Sequence, residues 1–334
     1  MTTTLVAMVM VSAVATTLSL LVYLPALAIA ESIPPRRADS RAAVWFCALQ
    51  LPLLAGLVGA AVGLHSLLID PYGSPHLTQI RPHLCSAWIA QTPDGAWLLG
   101  LVGTAVGAVY AAALIRLVLG AWRSREAVRR FASATQSTVV TVDYPQAFLA
   151  TIGLLRPLIV TTTGTCEMLA PSELEAALTH EAAHLKRRDN LLDLLASAAM
   201  TCLIYVPTAH LYLRYYREEI ERACDDQAAA KVTPATVSSA ILKLASVAEE
   251  IARERILPSV SYRGKHAAAD VRRRAARLTT LGARPPARAG GFSLAGAALV
   301  LGALAVLALT MAATLQQVTD TLRCLAESLV QVLT

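Results

Sequence analysis

The chain alternates between long apolar segments and polar stretches that are rich in arginine. Four of the apolar segments are long enough to cross a hydrocarbon core of about 30 Å as helices. They contain no acidic residue and no lysine, and their single arginine, Arg116, lies near the end of one of them. The pattern predicts four transmembrane helices, at residues 4–30, 42–68, 96–119 and 292–314.

A fifth apolar stretch covers residues 191–213, but Asp193 interrupts it and Pro207 breaks it. A single crossing here would place the residues before and after the stretch on opposite sides of the membrane. We therefore predict a membrane-dipping or amphipathic helix that packs the polar domain onto the bilayer. A helical hairpin is the alternative.

The region between the third and fourth predicted spans has the pattern of a small α+β domain. Residues 137–142 and 157–163 are rich in Val, Ile and Thr, which favours strands. Ser172 followed by Glu175 is a capping-box pattern, which predicts that a helix begins there and ends near Asp189. A second, charge-rich helix is expected from Tyr215 to Lys231.

Composition and charge assign this pattern to a membrane protein. The chain is 55% hydrophobic, with a mean hydropathy of +0.53 and a net charge of +6. The arginines cluster after span one, after span three and before span four, whereas the loop between spans two and three holds Arg81 alone. By the positive-inside rule both termini lie outside and residues 122–290 are cytoplasmic. The sequence has no basic stripe interleaved with aromatic residues, so direct nucleic-acid binding is not expected.

The candidate chemistry lies in the first of the two predicted cytoplasmic helices, where the sequence reads His180-Glu181-Ala-Ala-His184. Two histidines four residues apart share one face of a helix and can bind a single Zn²⁺ ion. The glutamate between them can take a proton from zinc-bound water. The motif predicts a metallopeptidase with one zinc per chain.

A third zinc ligand is expected from the second helix. Glu221 is the best donor, and Asp225 shares its helix face, where it can accept a hydrogen bond from a ligand histidine. Asp189 is a second candidate for that supporting role. Glu218 and Glu219 are neighbouring donors, and Cys224 is expected to be a packed residue. Asp225 has the alternative of pairing with Arg222 or Lys231.

Other features of the reaction remain open at the level of the sequence. An extended peptide is expected to bind by adding a strand to an exposed sheet edge. Candidate donors to the oxyanion are Tyr205, His210, Tyr212 and Arg217. A disulfide between Cys85 and Cys324 is a hypothesis, because both are predicted on the outer side, where disulfides form.

Together these residues resemble the BlaR1/MecR1-type membrane metallopeptidases of family M56. The resemblance covers residues 136–227 closely and the four-span layout loosely. It rests on GLLRPLIV (Gly153–Val160), on LAPSELEAALTHEAAHLKRRDN (Leu169–Asn190) and on ERACDDQ (Glu221–Gln227). Family M48, the HtpX/Ste24 type, shares HExxH and a downstream ExxxD but usually lacks the RPLIV-like strand and the Cys-Asp pair.

The resemblance implies a gluzincin-type fold, with His180, His184 and Glu221 as zinc ligands and Glu181 as the catalytic base. It also implies a setting in the bacterial inner membrane, with the zinc domain facing the cytoplasm. BlaR1-like sensors carry a penicillin-binding domain after the last span, and their signalling leads to removal of a winged-helix repressor. This sequence ends about twenty residues after the fourth predicted span, so β-lactam sensing is not expected.

We therefore predict a mainly α membrane protein with three parts: spans one to three at residues 1–121, an α+β zinc peptidase domain at 122–290, and span four with a short tail at 291–334. The expected function is regulated proteolysis of a cytoplasmic protein, with a winged-helix repressor as the candidate substrate. Expected partners are this substrate, membrane lipid and a second copy in a homodimer. Self-cleavage between Tyr262 and Arg274 is a further hypothesis. The alternatives are an HtpX-like quality-control protease and a catalytically silent signalling protein.

Overall fold

The computed structural model describes residues 2–35, 37–69, 93–132, 137–253 and 264–281, together with the single position 302. The predicted fourth span and most of the loop between spans two and three lie outside these residues. Cys85, Cys324 and the hypothesis of a disulfide between them lie outside as well.

The three remaining predicted spans each fall within one continuous helix: α1 (Thr2–Ser32), α2 (Ala38–Ile69) and α3 (Pro93–Ala132). Among the described residues, two helical segments are long and apolar enough to cross a membrane, Ala15–Ser32 and Leu101–Phe131. Both present large apolar side chains to the outside, and Leu24 and Leu114 are 70% and 62% exposed. Such exposure is costly in water but favourable against lipid.

Three short strands follow α3: β1 (Val139–Val142), β2 (Leu149–Ile152) and β3 (Leu158–Thr162). The sheet has the order β1–β3–β2, with β1 parallel and β2 antiparallel to β3. The predicted strands correspond to β1 and β3, whereas β2 was not predicted. Gly153 ends β2 with a φ of +97°, a conformation that favours glycine, and a Cβ there would lie 2.9 Å from the Arg156 carbonyl oxygen.

A short helix, α4 (Thr163–Met168), leads into α5 (Pro171–Arg187), which carries the HExxH motif. The predicted capping box at Ser172 is wrong by two residues, because Pro171 takes the first helical position and Ala170 is the N-cap. Glu173 accepts a 2.9 Å hydrogen bond from the Ala170 N–H, and it also binds Lys243 and Ser239. The start of the motif helix is thus fixed to a distant part of the chain.

Helix α5 ends at Arg188, which has the left-handed conformation (φ 57°, ψ 42°). The chain continues directly as α6 (Asp189–Cys202) and then, after a turn, as α7 (Pro207–Lys231). Arg217 binds Asp193 at 2.6 Å, so α6 and α7 are antiparallel partners. The apolar stretch at residues 191–213 is therefore part of a helical hairpin, which was the alternative from the sequence.

The tip of this hairpin packs against α1 and α2. The Tyr212 hydroxyl donates a 2.6 Å hydrogen bond to the carbonyl oxygen of Ser19, and the Ser19 and Thr208 hydroxyls lie 2.8 Å apart. The Trp45 ring lies 4.8 Å from the Tyr215 ring, measured between centroids. Because Ser19 lies near the middle of α1, the tip of the hairpin packs against the middle of that helix.

Helix α8 (Pro234–Arg253) packs on the motif helix and on α7, and α9 (Gly264–Leu281) packs on α8 and on α7. Their shared core contains small and branched side chains: Ala176, Ala228, Val237, Ala240 and Leu278. This second core is separate from the core around Tyr212. The motif helix therefore lies between the hairpin on one side and the α8–α9 pair on the other.

Candidate metal centre

Helix α5 brings the two motif histidines together as their spacing predicts. Nε2 of His180 lies 3.2 Å from Nε2 of His184, and the two rings are nearly perpendicular. Both side chains are mostly buried, at 13% and 14% exposed. Two donor nitrogens thus point at one small volume.

Each histidine has a carboxylate next to its other ring nitrogen. Nδ1 of His184 lies 2.8 Å from Asp189 Oδ2, in hydrogen-bonding geometry. Nδ1 of His180 lies 3.0 Å from Asp225 Oδ1, although this contact is poorly aligned for a hydrogen bond. A carboxylate at Nδ1 holds the proton there and leaves Nε2 with a free lone pair.

Each of these carboxylates is in turn paired with an arginine. Asp189 binds Arg187 at 2.7 Å, and Asp225 binds Arg274 through both of its oxygens, at 2.7 and 2.8 Å. Asp225 is fully buried, so its charge needs a partner. The predicted alternatives for Asp225, pairing with Arg222 or Lys231, are wrong, because Arg274 on α9 occupies that position.

Glu221 is the carboxylate on α7 that faces both imidazoles. Its Oε2 lies 3.5 Å from Nε2 of His180, and its Oε1 lies 3.7 Å from Nε2 of His184. Desolvation opposes its charge, but Arg274 and the two histidines hold the pKa of Glu221 well below its usual range. Glu221 is therefore an ionised oxygen donor at neutral pH.

The neighbouring glutamates on α7 turn away from the histidines. Glu218 pairs with Arg214 at 2.9 Å, and Glu219 pairs with Arg222 at 2.7 Å. Neither carboxylate has a recorded contact with His180 or His184. Of the three predicted donors on this helix, only Glu221 reaches the motif among the residues the structure describes.

Cys224 is a further candidate donor near the histidines. Its sulfur and the two imidazoles supply ligand atoms that all lie within 4.8 Å of one another. Burial raises the pKa of the Cys224 thiol well above its usual value, although the Arg187 side chain, 2.8 Å from the sulfur, opposes this. Because metals bind the thiolate, the ionised Glu221 is the stronger candidate.

The distances fit a tetrahedral ion bound by two imidazoles and a carboxylate. Nitrogen donors about 2.0–2.1 Å from a tetrahedral Zn²⁺ are roughly 3.4 Å apart, close to the observed separations. Burial opposes charge on the imidazole, yet Asp225 and Glu221 raise the pKa of His180 to about 9. The negative field that stabilises a proton on His180 also attracts a divalent cation.

Glu181 is held by strand β2. Its Oε2 accepts hydrogen bonds of 2.7 Å from both the backbone N–H and the hydroxyl of Thr151. The same hydroxyl lies 3.0 Å from the Glu181 carbonyl oxygen. One carboxylate oxygen is thus fixed to the sheet, while Oε1 takes part in none of these bonds.

The sheet edge beside the motif helix is partly closed. Asn190, the second residue of α6, donates hydrogen bonds to the carbonyl oxygens of Thr151 and Gly153, at 2.8 and 3.2 Å. Both main-chain polar groups of Thr151 are therefore bonded to side chains, and Thr151 cannot also pair with an added strand. The expectation of strand addition fails at this residue in the observed conformation.

The predicted oxyanion donors mostly have other partners. Tyr212 is fully buried in the hairpin core and bonds to Ser19, so its role as a donor to substrate is excluded. Arg217 binds Asp193, and His210 lies 2.8 Å from the Ile204 carbonyl oxygen. Tyr205 lies in the exposed turn between α6 and α7.

Three contributors to the site were missed at the level of the sequence: Thr151, Arg187 and Arg274. Thr151 lies on a strand too short to show a clear pattern. In the sequence Arg274 belongs to the basic cluster before the fourth predicted span, and Arg187 carries no prediction. The i, i+3 spacing of Arg274 and Arg277, opposite the adjacent Asp225 and Asp226, is the signal that would have indicated a docked helix.

Comparison with known proteins assigns the chain to a family. The model of the family described as BlaR1 peptidase M56 matches residues 87–257, just over half of the 334-residue chain. The chain belongs to the M56 peptidase family. The match includes the sheet, the HExxH helix and the whole of the α6–α7 hairpin, whereas α9 lies beyond it.

Curated relatives of this M56 chain include HtpX proteases. It is 34% identical to protease HtpX homolog 2 of Methanosarcina mazei over 77 residues, which are 23% of this chain and 26% of that protein. It is 36% identical to the protease HtpX homolog of Moorella thermoacetica over 74 residues, 22% of this chain and 25% of the relative. The matched segments thus span about a quarter of these relatives. No solved structure matches the chain.

Proposed function

We propose that this M56 protein is an integral-membrane zinc endopeptidase that hydrolyses peptide bonds of a cytoplasmic protein. The observation that carries the proposal is the convergence of three donors, the two Nε2 atoms of His180 and His184 and the Glu221 carboxylate. These three residues would hold the ion and leave a fourth position open, as catalytic zinc sites require.

Charge balance supports a divalent ion. The guanidinium groups of Arg187 and Arg274 offset two of the four carboxylates around the imidazoles, which leaves a net charge of two negative units from Asp189, Asp225, Glu181 and Glu221. Two negative charges in a mostly buried site are costly unless a cation of charge +2 is present.

Glu181 has the position of a general base in this proposal. Zinc, when bound, supplies Lewis acidity and lowers the pKa of a water molecule toward neutrality. Thr151 fixes Glu181 Oε2, so Oε1 is the atom that accepts a proton from the attacking water and returns it to the leaving amine. The Thr151 bonds also limit the rotation of the carboxylate.

The membrane setting is proposed from the apolar helices and the arginine distribution. The exposed apolar faces of α1 and α3 fit lipid contact, and the basic segments favour a cytoplasmic site with the N-terminus outside. The proposed substrate is a cytoplasmic protein in a signalling pathway, with a winged-helix repressor as the candidate suggested by the BlaR1-like resemblance.

Metal analysis of the purified protein tests the site. Wild type is expected to hold one zinc per chain, and both His184→Ala and Glu221→Ala are expected to lose it. The matched control is Glu218→Ala, a change on the same helix whose side chain faces Arg214. Zinc retained in Glu221→Ala, with loss in a Cys224→Ser variant, would replace Glu221 by Cys224 as the third ligand.

The similarity to HtpX proteases supports a second candidate function, the HtpX-like quality-control proteolysis that the sequence suggests as an alternative. A proteome comparison of cells with wild type and with Glu181→Gln separates the two. Accumulation of one or two proteins supports regulated proteolysis, and accumulation of many misfolded membrane proteins supports quality control. An unchanged proteome, with no cleavage of β-casein by the purified protein, would refute a protease function.

A further inference from the structure

Helix α9 inserts one arginine into the candidate metal centre from outside the part of the chain that the family model matches. The guanidinium of Arg274 contacts three carboxylate oxygens: Asp225 Oδ1 at 2.7 Å, Asp225 Oδ2 at 2.8 Å and Glu221 Oε2 at 2.8 Å. Its side chain is only 12% exposed. We infer that Arg274 is a positioning residue that fixes Glu221 and Asp225 in the geometry for metal binding, so that docking of α9 completes the metal centre.

The first step of the argument is the burial of Asp225. This carboxylate has no exposed surface, and both of its oxygens bind the Arg274 guanidinium. Without Arg274, the carboxylate would lose the two hydrogen bonds that fix its orientation, with Oδ1 3.0 Å from Nδ1 of His180. The His180 tautomer that presents Nε2 to a metal then loses its support.

The second step is the orientation of Glu221. Its side chain is about a third exposed and could adopt several rotamers. The ion pair between Arg274 Nη1 and Oε2 favours the observed rotamer, in which each carboxylate oxygen faces one imidazole. Ordering the ligand before binding lowers the entropy cost of capturing the ion.

The third step is the way in which α9 is held. Arg277, one turn after Arg274, pairs with Asp226 at 2.8 Å and donates to the Pro35 carbonyl oxygen at 3.4 Å. Ala275 and Leu278, on the same helix, are buried. Arg277 therefore docks α9 without contacting the site, which allows docking and positioning to be tested separately.

The proposal rests on the zinc site of the proposed function and extends it to α9. The experiment uses the full-length protein purified in detergent and measures Zn²⁺ affinity by competition with a chromophoric chelator. Arg274→Ala is expected to lower the affinity by 10- to 100-fold, the usual cost of removing an outer partner of a metal ligand. Arg274→Lys is expected to recover only part of it, because an ammonium group cannot reproduce the planar fork that joins two carboxylates.

Two control variants separate positioning from stability. Arg273→Ala removes a neighbouring, mostly exposed arginine that pairs with Asp270, and its zinc affinity should equal that of wild type. Arg277→Ala should lower the melting temperature of the metal-free protein while changing zinc affinity less than Arg274→Ala does. Visible absorption of the Co²⁺-loaded protein should change in Arg274→Ala and be unaltered in Arg273→Ala, because only the former disturbs the ligands.

The possible results distinguish this inference from the proposed function. If wild type binds zinc and Arg274→Ala binds it as tightly or more tightly, the positioning role is refuted while the zinc site stands. Equal losses of affinity in Arg274→Ala and Arg277→Ala would show that docking alone matters, which also refutes it. If wild type binds no zinc, both proposals fail.

Discussion

Asp189 lies 2.8 Å from His184 Nδ1, and it is at the same time the first residue of the next helix. The left-handed residue Arg188 makes this possible, because it turns the chain so that α6 starts beside the end of the motif helix. A carboxylate that supports a metal ligand is therefore part of the hairpin that packs among α1 and α2.

We expect Asp189→Asn to weaken zinc binding by about 10- to 100-fold, because an amide is a poorer acceptor for the Nδ1 proton. Chelator competition measures the change. Asp193→Asn is the matched control, since Asp193 lies one turn further along α6 and pairs with Arg217 away from the site. Equal affinities in wild type and Asp189→Asn would show that Asp189 does not support the ligand.

Thr151→Val is expected to reduce the rate of β-casein cleavage about 10-fold while zinc content stays at one per chain. The variant removes one of two hydrogen bonds to Glu181 Oε2, and a hydrogen bond to a charged group contributes about 1.5–3 kcal/mol. Thr151→Ser keeps the hydroxyl and should retain most of the activity. A Thr151→Val protein with full activity would contradict the role of Thr151 in holding the base.

Glu173→Gln is expected to lower the free energy of unfolding by about 1–3 kcal/mol at pH 7, because it replaces the charged partner of Lys243. Hydrogen bonds from Lys243, Ser239 and the Ala170 N–H lower the pKa of Glu173 to about 2. Since the carboxylate is ionised in the folded protein and would protonate near pH 4.5 in the unfolded chain, its stabilisation is complete above pH 4.5 and is lost as the pH falls toward 2.

Melting temperatures of wild type and Glu173→Gln should therefore differ at pH 7 and converge between pH 4.5 and 2. Glu175→Gln, an exposed change two residues along the same helix, controls for the effect of removing a negative charge. A difference that stays constant across this pH range would show that the charge of Glu173 does not contribute to stability.

Tyr212→Phe tests the hairpin core rather than the chemistry. The hydroxyl donates to the Ser19 carbonyl oxygen inside a fully buried cluster, so its loss should cost about 1 kcal/mol of stability. Thermal unfolding in detergent measures this, and β-casein cleavage should be unchanged below the transition. A loss of activity without a loss of stability would restore Tyr212 as a candidate oxyanion donor.

The sequence predicts the parts of the site that depend on local helical spacing. His180 and His184 share a face because they are four residues apart, and Glu221 and Asp225 do so for the same reason. The family assignment is confirmed by the match over residues 87–257. The sequence alone does not show which of the nearby acids faces the motif, because this depends on the packing of α7 against α5.

The parts that were not predicted depend on contacts between distant segments. Strand β2 is four residues long, and its sequence, LATI, has no distinctive alternation. Arg274 lies 49 residues from Asp225 in the chain, so no local pattern connects them. The predicted helix start is wrong because Ser172 fits the capping rule, whereas in the structure the Glu173 side chain caps the helix by accepting from the Ala170 N–H.

The hairpin gives the site a mechanical connection to the membrane-facing part of the molecule. Helix α6 runs without a break from Asp189, beside His184, to Cys202 near the tip, and the tip is fastened to α1 through Thr208 and Tyr212. A helix transmits a push or a twist along its length as a rod does. Thr208 and Tyr212 belong to α7, which continues without a break to Glu221 and Asp225. Displacement of α1 therefore reaches these carboxylates through one rigid helix, without passing through a loop.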